Sequence, residues 1–536
     1  MLRLSRKELE NVSDWKDANI KLPMFDIDQV KEATAKNPTW IHFGAGNIFR
    51  GLIANAHQEL LNQGLADTGI VAVDSFDFEV IEKVYQPFDN LSLLVLMDAK
   101  GEFDKKVIAS VVDSVAADYN NPSAIEHIKS VFLNDSLQMV SFTITEKGYG
   151  LKNPQGEYYG VVAADIINGP EAPIHTMGMI TSHLNLRYLN GSKPLTLVSM
   201  DNCSHNGDKL KDGVVTMAKE WLAKGFVEEG FIDYLLDESL ITFPLSMIDK
   251  ITPRPSETIK KHLEDSGLED MDIIITDKNS YMAPFVNAEI CEYLVIEDKF
   301  TNGRPELEKA GIIFTDRDTV NKVETMKVTT CLNPLHTALA VSGCILGYTL
   351  IADQVKDPAL LSLIKTIGYD EGLKVVVNPG IIDPKTFIDE VVNERFANPF
   401  IPDTPQRIAT DTSQKVGIRF GETIKSYVKD ENLKPEELRA IPMAIALWCR
   451  YLIGLDDKGQ VFELSSDPLL ESFKDILKDV ELGKSNKEYL KPILSNSNIF
   501  GLDLYEVKLG QMIENMFDEL TSGIGAVRST LDKYFV

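Results

Sequence analysis

The sequence predicts an α/β N-terminal domain with a mostly parallel sheet, followed by a mainly α-helical C-terminal domain. Three observations predict it. From residue 39 to about 297, short apolar runs alternate with helical stretches, the pattern of a parallel sheet covered by helices. After about 300, apolar residues recur at helical spacing instead. At 536 residues the chain also exceeds what one hydrophobic core holds.

Residues 1–38 read as an irregular leader, with a helix-start signal at Ser5 to Glu8. Strand-like runs follow at 39–43, 69–74, 92–97, 107–115, 139–145, 195–200, 241–248, 273–276 and 293–296. The pattern changes near 297–305, which gives a first domain of residues 39–300 and a second of 301–536. Helices are predicted in the second at 320–348, 358–369, 385–396, 404–416, 418–430, 435–455, 469–478, 485–494 and 504–530. The chain has no internal repeat and no low-complexity tract.

The first strand runs into Gly44-Ala45-Gly46-Asn47-Ile48-Phe49-Arg50-Gly51, and a helical pattern continues through Leu52, Ile53, Ala56, Leu60 and Leu61. Strand, glycine turn and helix are what a dinucleotide-binding turn requires, and they mark the domain as Rossmann-type. Gly44 permits the tight turn, and Gly46 lets the backbone approach a pyrophosphate at the positive end of the helix. The third glycine is displaced: Phe49 holds its place and Gly51 follows two residues on. The next strand ends in Asp74, 30 residues after Gly44. An acid there accepts hydrogen bonds from the ribose of NAD and repels the 2′-phosphate of NADP, although Asp74 also fits an ordinary strand-end turn. NAD is the expected cofactor, held by Gly44, Ala45, Gly46, Asn47, Ile48, Arg50 and Asp74.

Composition narrows the function classes. Apolar residues make up 44% and charged residues 25%, as in ordinary globular proteins, and the formal net charge is −27. So acidic a chain is not expected to bind nucleic acid or an anionic membrane, and an anionic substrate needs a local basic site. No apolar run reaches the roughly 18 residues of a membrane span, and the N-terminus lacks a signal-peptide core. Five scattered cysteines fit a reducing cytoplasm, and no His or Cys cluster has metal-ligand spacing, so no metal is expected. The expected partner is a small molecule, and the expected assembly a monomer or small homo-oligomer.

The run Lys327-Val-Thr-Thr-Cys-Leu-Asn333-Pro-Leu-His336 carries the chemistry. It sets a lysine, an asparagine and a histidine within an apolar helical segment. A buried lysine can trade protons in the working range, and an amide and an imidazole beside it can polarise a hydroxyl or carbonyl. The same run also fits a core helix with polar residues at one end.

With these stretches in view, the chain resembles the long-chain mannitol dehydrogenase family of polyol and sugar-acid dehydrogenases over nearly its whole length. The resemblance is carried by the glycine turn, Thr143-Ile-Thr-Glu146-Lys147-Gly-Tyr149, Ser199-Met-Asp201-Asn202 and Phe243-Pro-Leu-Ser246-Met-Ile-Asp249-Lys-Ile-Thr-Pro253. It continues in Glu289, Val295-Ile-Glu-Asp298, Gly303-Arg-Pro305, the lysine run and Arg395-Phe-Ala-Asn398-Pro399 with Arg407. It implies Lys327 as general acid–base, Asn333 and Asn202 as donors to the developing alkoxide, and His336 as the group orienting the reacting oxygen. It further implies Glu146 on a proton path and Arg407 on substrate, with Asp249 among the substrate-binding residues. Read without it, Asn202 is a strand-end turn and Glu146 a solvated loop charge.

Two departures stand out. Five residues separate Lys327 from Asn333, one more than is usual in the family. On an ideal helix the extra residue turns Lys327 away from Asn333 and His336. A π-bulge absorbs it, or else Asn333 caps a new helix that Pro334 begins. In the glycine turn, Asn47-Ile-Phe replaces the family's aromatic-histidine sequence.

Family members act on hexitols or interconvert fructuronate with mannonate and tagaturonate with altronate. A substrate carboxylate calls for basic groups, for which Lys147, Arg254 and Arg407 are candidates, though each also fits a surface charge. The leading expectation is an NAD-dependent fructuronate/D-mannonate oxidoreductase that needs no metal. The alternatives are a mannitol 2-dehydrogenase-type enzyme, a mannitol-1-phosphate 5-dehydrogenase-like enzyme, and a non-enzymatic NAD-binding protein.

Overall fold

The computed structural model describes residues 2–536, and the chain divides into two compact units. The first holds residues up to Met97 and Glu102–Val320, the second Asp98–Gly101 and Asn321–Val536.

The first unit is built on an all-parallel sheet. Its strands are β1 (Trp40–Phe43), β2 (Ile70–Asp74), β3 (Val111–Ala116), β4 (Met139–Phe142), β5 (Leu195–Ser199) and β6 (Ile241–Thr242). Their spatial order is β3-β2-β1-β4-β5-β6, so the winding reverses between β1 and β4. Both faces are apolar. Ile41, Phe43, Val71 and Val73 point into one core, while Trp40, Ile70 and Ala72 from the same strands point into the other. That is why these strands read as unbroken apolar runs rather than alternating ones.

Four expectations about this unit need correction. The run 107–115 is two strands: Phe103–Ile108 belongs to a separate four-stranded sheet and β3 to the parallel one. Gln58 pins the break, donating to Val107 O (2.5 Å) and accepting from Ala109 N (2.6 Å), and Ser110 Oγ donates to Ala54 O (2.6 Å). The run 241–248 likewise divides into β6 and the strand Ser246–Asp249, which pairs antiparallel with Tyr293–Glu297. The leader is ordered: helices Val12–Asp17 and Ile27–Lys36 flank a strand at Ile20–Lys21 that pairs with Phe103–Ile108. Trp15 anchors it, fully buried, with its indole N–H on Glu8 O (2.8 Å). Sheet structure also runs past residue 300, because Ile313–Thr315 pairs with Tyr293–Glu297, and the units divide after Val320.

The second unit is helical. The helix α1 (Ala54–Asn62) belongs to the first unit, α2 (Arg317–Met326) leads into the second, and α3 (Asn333–Leu346) packs there against α4 (Ala440–Tyr451). Every residue of α4 is buried, as an apolar all-round sequence requires. Helix starts follow local chemistry. Asp357, Asp383 and Thr404 each cap a helix whose first residue is proline, their side chains accepting N–H groups of the first turn. The predicted helix 404–416 stops at Ile408, and 504–530 divides into Gly510–Leu520 and Ala526–Phe535. No helix of the described residues is long and apolar enough to cross a membrane.

Candidate active site

Gly44 closes β1 with φ +100°, and a Cβ there would lie 2.1 Å from Thr143 O at the end of β4. Both facts demand glycine. A Cβ on Gly46, by contrast, would meet nothing within 4 Å: the turn is open at that face. Tyr85 donates its hydroxyl to Ala45 O (3.0 Å), fixing the turn from behind. Asp74 at the end of β2 accepts from Phe76 N (2.9 Å) and Asp77 N (2.7 Å) through one oxygen and from Ala45 N (3.3 Å) through the other. Burial pushes its carboxyl up, against the pull of those backbone donors. An open glycine face before a helix, with a carboxylate on the adjacent strand end, fits the pyrophosphate and ribose of a dinucleotide.

Two of the residues assigned to the cofactor also brace the turn. Arg50 is buried, donating to Ala283 O and Asn47 Oδ1 (both 2.8 Å), and Asn47 donates to Tyr281 O (3.2 Å). The displaced glycine is explained by packing, since a Cβ on Gly51 would press Thr252 Cγ2 (3.1 Å) and Val286 Cγ1 (3.2 Å). Phe49, in the usual glycine place, stacks on His42 with ring centroids 3.9 Å apart. His42 bonds Ser141 Oγ and Thr143 Oγ1, and burial pushes its pKa down to about 3, so the ring stays neutral. Ile48 is half-buried in the same turn.

Glu146 and Asn202 follow the ends of β4 and β5, the edge at which open α/β sheets take their ligands. Asp201 organises this edge: it accepts from Ile144 N and Thr145 N (both 2.9 Å) and from the Tyr149 hydroxyl (2.6 Å). These bonds hold Thr145 at φ +63°, strained for a β-branched residue. Glu146 is exposed and pairs with Lys209. Lys147 is exposed, Arg254 lies 3.9 Å above the Tyr281 ring, and Asp249 is buried at its strand end.

In the second unit α2 runs into a wide turn, Lys327–Cys331, in which Lys327 O accepts from Leu332 N (3.1 Å). Leu332 then leaves helical geometry (φ −126°, ψ −63°), and α3 begins at Asn333 with Pro334 second. The extra residue is therefore absorbed by a π turn. Asn333 does not cap, since Leu332 holds the cap position and no side chain serves it. Thr423 Oγ1 donates to Thr329 O (3.2 Å), pairing a carbonyl of the wide turn. Lys327 is buried at 4% exposure, while Asn333 and His336, three apart on one helix face, are half-buried.

His336 Nε2 lies 2.6 Å from Asp403 Oδ2, and Asp403 Oδ1 accepts from Arg407 Nη2 (2.5 Å). Burial works to raise the Asp403 carboxyl, but His336 and Arg407 outweigh it and hold the group below the usual carboxylate range. The imidazole nitrogen thus sits in close contact with a carboxylate, outside hydrogen-bonding geometry, and an arginine holds that carboxylate.

Comparison with known proteins decides the family. The model of the mannitol dehydrogenase Rossmann domain matches residues 38–309, and that of the mannitol dehydrogenase C-terminal domain matches 319–521. The chain belongs to the mannitol dehydrogenase family. It is 50% identical to the D-mannonate oxidoreductase of Thermotoga maritima, over 99% of both chains. It is 30% identical to the polyol:NADP oxidoreductase of Gluconobacter oxydans, over 86% of this chain and 88% of the other. Among solved structures, D-sorbitol dehydrogenase in substrate-free form matches with a TM-score of 0.79 at 27% identity, covering 95% of this chain and 97% of that one. The mannitol 2-dehydrogenase of Pseudomonas fluorescens shares the fold, with a TM-score of 0.71 at 24% identity and 99% coverage of both chains.

Within this family fold, the glycine turn, Asp74, Glu146 and Asn202 belong to the first unit, and Lys327, Asn333, His336 and Arg407 to the second. Sequence reasoning missed Tyr85, Asp201 and Asp403. Asp201 precedes Asn202, and Asp403 stands one helical turn before Arg407, so each had a neighbour already under scrutiny.

Proposed function

We propose that this protein interconverts a keto-hexuronate and its aldonate with NAD as coenzyme, D-fructuronate and D-mannonate being the favoured pair. The observation that carries the chemistry is the buried Lys327 amine on a π turn, followed by an amide and an imidazole paired with a carboxylate at the start of α3. The substrate choice is supported by the full-length likeness to a D-mannonate oxidoreductase.

Bound NAD supplies the hydride acceptor. In the oxidising direction Lys327 Nζ takes the hydroxyl proton as the C–H bond breaks, and in the reducing direction it returns that proton to the carbonyl oxygen. Asn333 donates to the oxygen as negative charge develops on it, where a fixed dipole counts most. His336, paired with Asp403, holds the same oxygen in line. We assign Asn202 a second donor role and Glu146 a proton path, as the resemblance implies. Asp74 favours NAD over NADP by repelling a 2′-phosphate. None of these steps requires a metal ion. We place the protein in the cytoplasm, a reading supported by five cysteines scattered along the chain without a disulfide-framework spacing.

Initial rates with NADH on fructuronate, tagaturonate and fructose test the reading, with NADPH as the coenzyme control. Fructuronate is expected to give the highest kcat/KM. A preference for fructose would overturn the uronate assignment.

A further inference from the structure

The second unit holds a guanidinium that no carboxylate among the described residues neutralises. Arg419 lies in the wide turn Gly417–Gly421, which packs against both α3 and the Lys327 turn. Its Nη1 donates to Thr337 Oγ1 (2.5 Å), and that hydroxyl donates in turn to Asn333 O (2.9 Å). Thr337 is the residue after His336. The other guanidinium N–H groups of Arg419 find no acceptor among the described residues, and burial alone pulls the group down to about 10. Lys415, one turn earlier, is a second half-buried cation; burial lowers its pKa first, and Arg419 adds to the effect.

Asp411 and Asp467 act on Lys415 and raise its pKa against burial, but no acid among the described residues acts on Arg419. Asp403 pairs with His336 and Arg407, and Asp467 accepts from Ser413 N (2.8 Å) and Ser413 Oγ (2.6 Å). A partly desolvated guanidinium without a counter-charge, with a second cation one turn away, is unfavourable in the empty protein. An anion that fills the guanidinium fork would offset that cost and bind with directional, charge-assisted hydrogen bonds. None of the basic residues suggested by sequence offers this. Lys147 is exposed, Arg254 is stacked on Tyr281, and Arg407 is committed to Asp403.

We infer that Arg419 is the anchor for the terminal carboxylate of the substrate, with Lys415 adding charge beside it, and that this pair selects sugar acids over neutral polyols. The inference rests on the hexuronate reading of the same site. It assigns Arg419 a binding role, so its loss falls on KM rather than kcat.

The test compares fructuronate with its neutral carboxamide in the wild-type enzyme, Arg419→Met and Arg419→Lys. Wild type is expected to favour the acid. Arg419→Met should raise the KM for the acid roughly 10- to 100-fold, the value of charge-assisted bonds to one carboxylate, with kcat held within about threefold. It should also treat acid and amide alike. Arg419→Lys, which keeps the charge and protects against a folding failure, should fall between the two. If wild type favours the acid and both variants keep that preference, the anchor lies elsewhere and Arg419 is overturned alone. If acid and amide lose equally, Arg419 has only a structural role and the inference fails. If wild type itself prefers fructose to uronates, the hexuronate reading fails and takes this one with it.

Discussion

The two glycines of the turn permit a paired experiment, because one supports the fold and the other faces open space. In Gly44→Ala the new methyl would sit 2.1 Å from Thr143 O, at a φ of +100°. The left-handed backbone costs roughly 1–2 kcal/mol for a residue with a Cβ. Displacing the end of β4 adds about 1–3 kcal/mol as overpacking. Together that is about 2–5 kcal/mol, or roughly 3–8 °C in Tm for a unit of this size. In Gly46→Ala the methyl meets no atom within 4 Å, so stability should stay within about 1 kcal/mol of wild type. If a pyrophosphate lies over that face, the methyl occupies its place, and NADH binding should weaken about 5- to 150-fold. Scanning calorimetry reads the first effect and NADH fluorescence titration the second. An unchanged NADH Kd in Gly46→Ala would refute the dinucleotide assignment of the turn. An unchanged Tm in Gly44→Ala would refute the steric argument.

Lys327→Ala should cut kcat about 10²- to 10⁴-fold while the NADH Kd is preserved, and a loss below tenfold in single-turnover rates would remove Lys327 from proton transfer. Asp403→Asn leaves His336 without its partner anion and should lower kcat/KM about 10- to 100-fold with the fold intact by circular dichroism. Because the Asp403 carboxyl sits below its ordinary range, the stability it provides is present at neutral pH and lost as pH falls below about 4, so wild type and variant should converge in acid. His183 shows the opposite chemistry with the same outcome in acid: burial pushes it down to about 3, so the unfolded chain binds its proton first as pH drops. His183→Leu should therefore gain on wild type by about 1.4 kcal/mol per pH unit below about 6.5, and a difference that does not change between pH 7 and 5 would contradict a buried neutral ring.

What the sequence discloses and what it hides follow from the range of the interactions. The glycine turn, the apolar strands and the capped helix starts at Asp357, Asp383 and Thr404 are local, and their physics is legible in a few consecutive residues. The run 107–115 misleads because both of its strands are buried, so apolarity cannot tell which sheet each joins; Gln58, far off in the chain, makes the break. Asp403 and Arg419 escape notice for the same reason. Their importance lies in partners 67 and 82 residues away, His336 and Thr337, that only folding brings together. Arg50 is the converse case, a charge in a binding motif that turns out to be spent on the protein's own backbone.

The π turn ties these threads to the chemistry. A continuous α-helix through 327–346 would need an N–H at position 334 for the Thr330 carbonyl, and Pro334 has none and would crowd that turn. Widening the helix at Lys327–Cys331 and breaking it at Leu332 avoids the conflict, and Thr423 pairs the carbonyl of Thr329 from outside. The break also starts a fresh helix of 14 residues at Asn333, so its positive end falls on the turn that carries the asparagine and histidine. In the proposed reaction, negative charge grows on the substrate oxygen that these two residues hold. A helix terminus there favours the alkoxide, and an unbroken helix would have placed the same residues mid-segment without that field. The extra residue between lysine and asparagine therefore does more than preserve a register: with Pro334, it places a helix start where the proposed reaction would develop negative charge.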